Sequence, residues 1–252
     1  MIRLYMLGTG AAVPLNRGLP CIVLRINSDL YVFDTGEGCQ QRMFNTGLSV
    51  VKIRSIFITH LHGDHFLGLP GMLQSMHLLD RRNDLTIVGP RNLFNLLENF
   101  LKLSYGQPAF KISYVDAKDN EIVYEDSNIV VESFTVKHIG DSFGYKINIK
   151  KKRKSIIYTG DTKPIDKIAE ISKNADILIH EATFTSILRE EAYKQGHSTA
   201  ADAALIASKS NVKTLILTHI SSRYNSVEPL FYDAYRFFRN TIVAEDYMTI
   251  IV

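Results

Sequence analysis

Six consecutive residues, His60-Leu61-His62-Gly63-Asp64-His65, constrain this chain more than any other part of it. They stand where an apolar run, Ile53–Thr59, gives way to a helical spacing of apolar residues. In an extended chain residues two apart point the same way, so His60 and His62 can chelate one metal ion together. Gly63 permits the sharp turn that follows. Asp64 and His65 then face the same space from a new direction and can hold a second ion. So many polar groups at one strand end are costly unless something binds them. Four residues cannot saturate two ions, so the fold has to bring further ligands from elsewhere in the chain.

The candidates stand at other strand ends. His138 follows the apolar run Val130–Val136, Asp161 follows Ser155–Thr159, and His219 follows Thr214–Thr218. Each lies just past a strand, where the ligand sites of α/β proteins gather. The set of His60, His62, Asp64, His65, His138, Asp161 and His219 offers imidazole and carboxylate without thiolate. That chemistry suits zinc, and manganese or iron are also compatible with it.

The rest of the chain reads as the scaffold for these ligands. Strands are predicted at Ile2–Leu7, Cys21–Ile26, Leu30–Asp34 and Ile53–Thr59, and helices at Phe66–Leu79 and Arg91–Leu103. A strand-rich stretch from Lys111 to Tyr158 includes a hairpin of Phe143–Ile149 and Ser155–Thr159 with a basic tip, Lys150-Lys151-Lys152-Arg153-Lys154. Helices at Ile165–Ile171, Ser198–Ser208 and Val227–Phe238 then alternate with strands at Asp176–His180, Thr214–Thr218 and Tyr247–Val252. Sheets packed together with helices outside satisfy this order. The 252 residues show no linker and no repeat, which predicts a single α/β domain over residues 1–252.

Charge and cysteine usage add bounds. A net charge of +3 is too mild to announce a nucleic-acid binder. Cys21 and Cys39 form no CxxC pair and read as reduced packing residues. No apolar run approaches a membrane span, and the opening MIRLYMLGTG reads as a strand and a glycine turn rather than a secretory leader. A soluble, reducing, cytoplasmic setting is expected.

Beyond the histidine cluster, several blocks resemble a known family. They are Leu7-Gly8-Thr9-Gly10-Ala11-Ala12-Val13-Pro14, Phe33-Asp34-Thr35-Gly36-Glu37-Gly38, Gly68-Leu69-Pro70-Gly71, Lys137-His138 and Gly160-Asp161-Thr162. Further on come His180-Glu181-Ala182-Thr183-Phe184, Gly196-His197-Ser198-Thr199-Ala200 and Thr218-His219-Ile220-Ser221-Ser222-Arg223-Tyr224. Together they resemble the tRNase Z (ribonuclease Z) group of the metallo-β-lactamase superfamily. The six-residue cluster marks the superfamily; the blocks around Glu181, His197 and His219 mark the group.

The resemblance implies a four-layer αββα sandwich with a dinuclear metal site at one edge. It assigns His60, His62 and His138 to one ion and Asp64, His65 and His219 to the other, with Asp161 bridging. It also implies that water activated by the ions attacks phosphorus at the 3′ end of a tRNA precursor, leaving a 3′ hydroxyl on the tRNA and a 5′ phosphate on the trailer. Asp64 would orient that water or act as its base, and His197, positioned by Glu181, would donate to a phosphate or leaving oxygen. Asp34 could orient a ligand histidine. His180 reads as structural or as a support behind a ligand, His77 has no evident partner, and both stay outside the ligand set.

One feature of the group is missing. The long arm that grips the tRNA elbow would lie between Phe143–Ile149 and Ser155–Thr159, where this chain has only a short basic turn. A hydrolase of small phosphodiesters such as cyclic nucleotides is therefore the alternative to a tRNA-processing enzyme. A non-catalytic RNA-binding protein is a third reading, weakened by the presence of every expected ligand. A homodimer is expected by resemblance.

Overall fold

The computed structural model describes residues 1–104 and 108–252. The chain divides into two compact units, each with its own seven-stranded sheet.

Unit 1 comprises Met1–Ala117 and Glu245–Val252. Strands β1 (Ile2–Gly8), β2 (Cys21–Ile26) and β3 (Asp29–Phe33) pair antiparallel, and β4 (Ile53–Phe57), β5 (Leu85–Gly89) and β6 (Ile112–Asp116) continue from β3 in parallel. A further strand, Met248–Ile251, returns antiparallel along β1. Helices α1 (Cys39–Asn45), α2 (Gly63–Phe66), α3 (Leu69–Leu78) and α4 (Asn92–Leu103) join the sheet in one apolar cluster. On α4 the buried residues are Leu93, Leu97 and Leu101, four apart and on one face. Each such leucine contributes about 1.5–3 kcal/mol when fully buried.

The helix predicted at Phe66–Leu79 begins earlier and is broken. It runs as α2 and α3, with Leu67 and Gly68 between. Pro70 sits in the first turn of α3, where its missing N–H costs least. The Gly68 amide leaves the helical ladder and donates to the carbonyl of Thr35 at 2.8 Å. A Cβ on Gly68 would stand 2.4 Å from the Gly36 carbonyl oxygen, so only glycine permits this approach.

Unit 2, Lys118–Ala244, has a related plan. Strands β7 (Glu121–Glu125), β8 (Ile129–Thr135), β9 (Phe143–Ile149) and β10 (Lys154–Tyr158) are antiparallel neighbours. Strands β11 (Ile177–Glu181), β12 (Thr214–Thr218) and β13 (Thr241–Val243) follow in parallel, with α5 (Asp166–Ile171), α6 (Arg189–Gln195), α7 (Ala200–Ser210) and α8 (Glu228–Tyr235) in the connections. Helix α7 opens with a reciprocal cap between Thr199 and Asp202. Its buried residues Ala200, Ala203, Ala204 and Ala207 join the apolar cluster that includes β11 and β12. The remaining strand of the chain, Met248–Ile251, is β14.

The connection between β9 and β10 consists of residues 150–153 alone, because Ile149 pairs directly with Lys154. The arm is therefore absent, as the sequence indicated. The basic run is partly neutralised: Lys150 Nζ pairs with Glu125 Oε1 at 2.7 Å, and Lys154 Nζ with Asp176 Oδ1 at 3.3 Å. Lys151, Lys152 and Arg153 are exposed.

The expectation of reduced cysteines is corrected. Cys21 and Cys39 form a disulfide with Cα atoms 5.5 Å apart. The start of β2 and the start of α1 meet in the fold at a spacing a disulfide can span, which their separation of 18 residues concealed.

Strand direction places the functional residues. In unit 1, β1, β3 and β4 run the same way, so their C-terminal ends share one sheet edge. In unit 2, β8 and β10 are both antiparallel to β9, and β11 and β12 are parallel to β10. The C-terminal ends of these four strands likewise share an edge.

Candidate active site

At the edge of unit 1, β4 delivers Thr59 and the histidine cluster, and β3 delivers Asp34. The fully buried carboxylate of Asp34 organises both. It accepts from the Thr59 amide at 2.8 Å and from the Nδ1–H of His65 at 2.8 Å. Thr59 Oγ1 lies 3.0 Å from Nδ1 of His60. The His60 ring is 4.7 Å from that of His62 and 4.1 Å from that of His65, centroid to centroid. Because the Nδ1 of His65 is committed to a carboxylate, its Nε2 keeps the lone pair. That Nε2 lies 3.7 Å from Asp64 Oδ2.

Asp64 is held from outside the cluster. Its Oδ2 accepts from the Ala12 amide at 2.8 Å. Ala12 belongs to the loop after β1, which Asp246 fastens. The Asp246 carboxylate accepts from the Thr9 amide at 3.0 Å, the Gly18 amide at 2.6 Å and Arg42 Nη1 at 2.8 Å. Gly36 allows a second approach: a Cβ there would stand 2.3 Å from the Asp64 carbonyl oxygen. The Phe33–Gly38 block thus supplies a carboxylate at Asp34 and clearance at Gly36.

At the edge of unit 2, β8 leads to His138, β10 to Asp161, β11 ends in Glu181 and β12 leads to His219. His138 donates from Nδ1 to the Gly196 carbonyl at 2.9 Å, and its Nε2 lies 3.9 Å from Asp161 Oδ2. The Nε2 of His219 lies 3.3 Å from the same oxygen. One donor atom from each of Asp161, His197 and His219 lies within 4.8 Å of the others.

Glu181 is fully buried and answers several donors at once. Its Oε1 accepts from the Thr162 amide at 2.9 Å and from Nδ1 of His197 at 2.9 Å. Its Oε2 accepts from Thr183 Oγ1 at 2.8 Å. That hydroxyl oxygen in turn lies 2.9 Å from Nδ1 of His219. Burial by itself would push the Glu181 carboxyl up, but the charge and hydrogen bond of His197 outweigh it and hold the carboxyl below its usual range. One buried carboxylate thus orients two histidines, His197 directly and His219 through Thr183.

One residue in each unit sits in the αL region just past a strand, Asp34 after β3 with φ 56° and His219 after β12 with φ 56°. For residues other than glycine this conformation is held only by surrounding structure, here the hydrogen bonds just described.

The histidines left outside the ligand set are accounted for. His180 is fully buried and donates from Nδ1 to the Glu181 carbonyl at 2.7 Å. Burial pushes its imidazole below the usual histidine range. His77 accepts from the Ala109 amide at 3.2 Å. Thr59 heads the histidine cluster, but neither it nor Thr183 or Asp246 carries a role in the sequence reading. Thr183 stood inside the Glu181 block, but nothing in the pattern marked Asp246.

The donor chemistry fits a metal ion. In His65, His138 and His219 the Nδ1 is tied to a protein oxygen, and each Nε2 stands beside a carboxylate. Metal-binding histidines are oriented in this way.

Comparison with known proteins places this arrangement. The profile of the β-lactamase superfamily domain matches residues 30–220. A protein named ribonuclease Z from Sulfurisphaera tokodaii is 39% identical, over 97% of this chain and 96% of its own. The chain belongs to the ribonuclease Z family. A second ribonuclease Z, from Ignicoccus hospitalis, is 33% identical over 99% of this chain and 98% of its own. The crystal structure of the short form of human tRNase Z superposes with a TM-score of 0.86 at 32% identity, covering 100% of this chain and 99% of that one. The fold is the metallo-β-lactamase fold, with two mixed sheets and their helices, the αββα plan implied by the sequence resemblance. Against the Sulfurisphaera ribonuclease Z the alignment runs over 290 positions, whereas this chain has 252 residues, so that relative carries residues this one lacks. Among the described residues no helix is long and apolar enough to cross a membrane.

Proposed function

We propose that this chain is a two-metal endoribonuclease that removes 3′ trailers from tRNA precursors, with both units serving one catalytic domain. The observation that carries this is the full-length likeness to proteins named ribonuclease Z.

His60, His62 and His138 would hold one ion and Asp64, His65 and His219 the other, with Asp161 available to either. Zinc suits this donor set best. Such ions, when bound, lower the pKa of water and neutralise charge on the phosphate. Asp64 orients the attacking water and accepts its proton. The hydrogen bond from the Ala12 amide, at 2.8 Å, fixes the carboxylate for that task. His197 donates to a phosphate oxygen or to the leaving oxygen. Its Nδ1 is committed to Glu181, so its Nε2 is the atom that faces substrate. The tRNA substrate implies a cytoplasmic setting, and the family resemblance a homodimer.

Incubating the metal-loaded protein with a tRNA precursor tests the reading. The products should be a tRNA with a 3′ hydroxyl and a trailer with a 5′ phosphate. Asp64→Ala should lower turnover by several orders of magnitude, while His77→Ala should leave it close to normal. Hydrolysis of a small chromogenic diester without any precursor cleavage would transfer the assignment to a small-phosphodiester hydrolase.

A further inference from the structure

Unit 2 carries a groove of about 770 Å³ that the chemistry above does not use. It lies between the segment after Phe184 and helix α8, lined by Ile187, Tyr224, Tyr232, Tyr235 and Arg236 among others. Its rim is open and ring-rich: Tyr232 is 64% exposed and Ile187 90% exposed. Three guanidiniums stand around these rings. Arg239 lies over the Tyr235 ring at 4.3 Å, Arg223 lies over the Phe184 ring at 4.6 Å, and the Arg236 side chain is 66% exposed.

Among the described lining residues the one carboxylate, Asp233, is already engaged. Asp233 accepts from the Ser186 amide at 2.7 Å and from the Ala201 amide at 3.2 Å, and it pairs with Arg236 at 2.9 Å. The groove also begins next to the catalytic groups. The Thr185 amide donates to the Tyr224 hydroxyl at 2.9 Å, and Thr185 is two residues from Thr183. The Phe184 ring, with Arg223 on it, is 6.1 Å from the ring of His197.

We propose that this groove holds the unpaired trailer of the RNA substrate just beyond the scissile phosphate, stacking a base on Tyr232 while Arg236 meets a backbone phosphate. This rests on the ribonuclease reading. Planar rings and guanidiniums suit a single strand, because every base has a π face and every linkage a negative charge. Among the described residues no asparagine or glutamine lines the groove to read base edges. Such a surface is tolerant of sequence, which is what a trailer of unspecified sequence requires.

Fluorescence anisotropy of a short labelled oligouridylate on the full-length protein tests the groove directly. Tyr232→Ala should weaken binding about tenfold, and Tyr232→Phe should bind as the wild type does, since the stacking face is retained. Arg236→Ala should lower the slope of log K against log salt by about 0.7. The second arm compares precursors with a single-nucleotide trailer and with a longer one. Tyr232→Ala should raise KM only for the longer trailer and leave kcat and small-diester hydrolysis unchanged. Unaltered oligouridylate binding by Tyr232→Ala, or an equal loss on both trailers, overturns the proposal. If the wild type leaves both precursors intact, the ribonuclease reading fails, and the oligouridylate arm still decides the groove.

Discussion

Asp34 Oδ2 lies 2.8 Å from Nδ1 of His65 in a fully buried setting, and the same carboxylate takes the Thr59 amide at 2.8 Å. A single acid at the end of β3 thereby sets the ring orientation and the tautomer of a histidine on α2. Asp34→Ala should loosen metal binding roughly 10–100-fold, since it removes the partner that orients His65. Competition with a chromogenic chelator measures this, with His77→Ala as the control expected to bind normally. Unchanged affinity in Asp34→Ala would show that His65 needs no such support.

On β11 two buried titratable groups are adjacent, and they predict two pH windows. His180 has its imidazole pushed down by burial. The unfolded chain therefore takes up that proton first, and stability falls as pH drops below about 6.5. Glu181 has its carboxyl held down by His197 against the effect of burial. The unfolded chain again binds the proton first, so a second loss follows as pH drops below about 4.3 toward the folded value. Urea unfolding of metal-free protein at a series of pH values should show both losses. His180→Gln should flatten the upper window and Glu181→Gln the lower one.

The Cys21–Cys39 disulfide closes a loop spanning a sequence separation of 18 residues. A crosslink of that length stabilises by about 3 kcal/mol, chiefly by restricting the unfolded chain. Reduction with dithiothreitol, or Cys39→Ala, should lower the denaturation midpoint accordingly. A thiol assay on the denatured, unreduced protein should find no free sulfhydryl; two free groups would sink the prediction.

Much of this was legible in the residues. Alternation and apolar runs located β2, β9, β10 and β12 within a residue or two, because each is a short apolar segment bounded by polar turns. The candidate ligands stood out because each follows such a strand. Helix α1 and strands β5 and β13 were not predicted, since short segments carry little periodicity; β6 and β7 fall inside the predicted strand-rich stretch from Lys111 to Tyr158, which set no bounds for them. The disulfide and the Asp246 clamp escaped for another reason. Cys21 and Cys39, or Asp246 and Gly18, meet only through the sheet topology, and nothing local at either partner announces the other.

The basic hairpin is expected to matter little for substrate. Lys150 and Lys154 already face Glu125 and Asp176. The tip stands at the opposite end of β10 from Asp161, with roughly 20 Å of extended chain between. Replacing Lys151 and Lys152 together with glutamate should leave precursor cleavage and its salt dependence close to normal. A marked loss on the precursor, with small-diester hydrolysis intact, would make the hairpin a phosphate contact.

Strand β14 and the clamp residue Asp246 belong to unit 1, yet both follow the whole of unit 2 in the sequence. As the chain leaves the ribosome, residues 1–117 emerge with one edge of β1 unpaired and with the Thr9–Gly18 loop unfastened. They stay so until residues 118–244 have been made. The Ala12 amide is not secured on Asp64 until translation has passed Asp246. The nascent polypeptide thus carries its histidine cluster before strand β14 and the Asp246 clamp exist to complete unit 1.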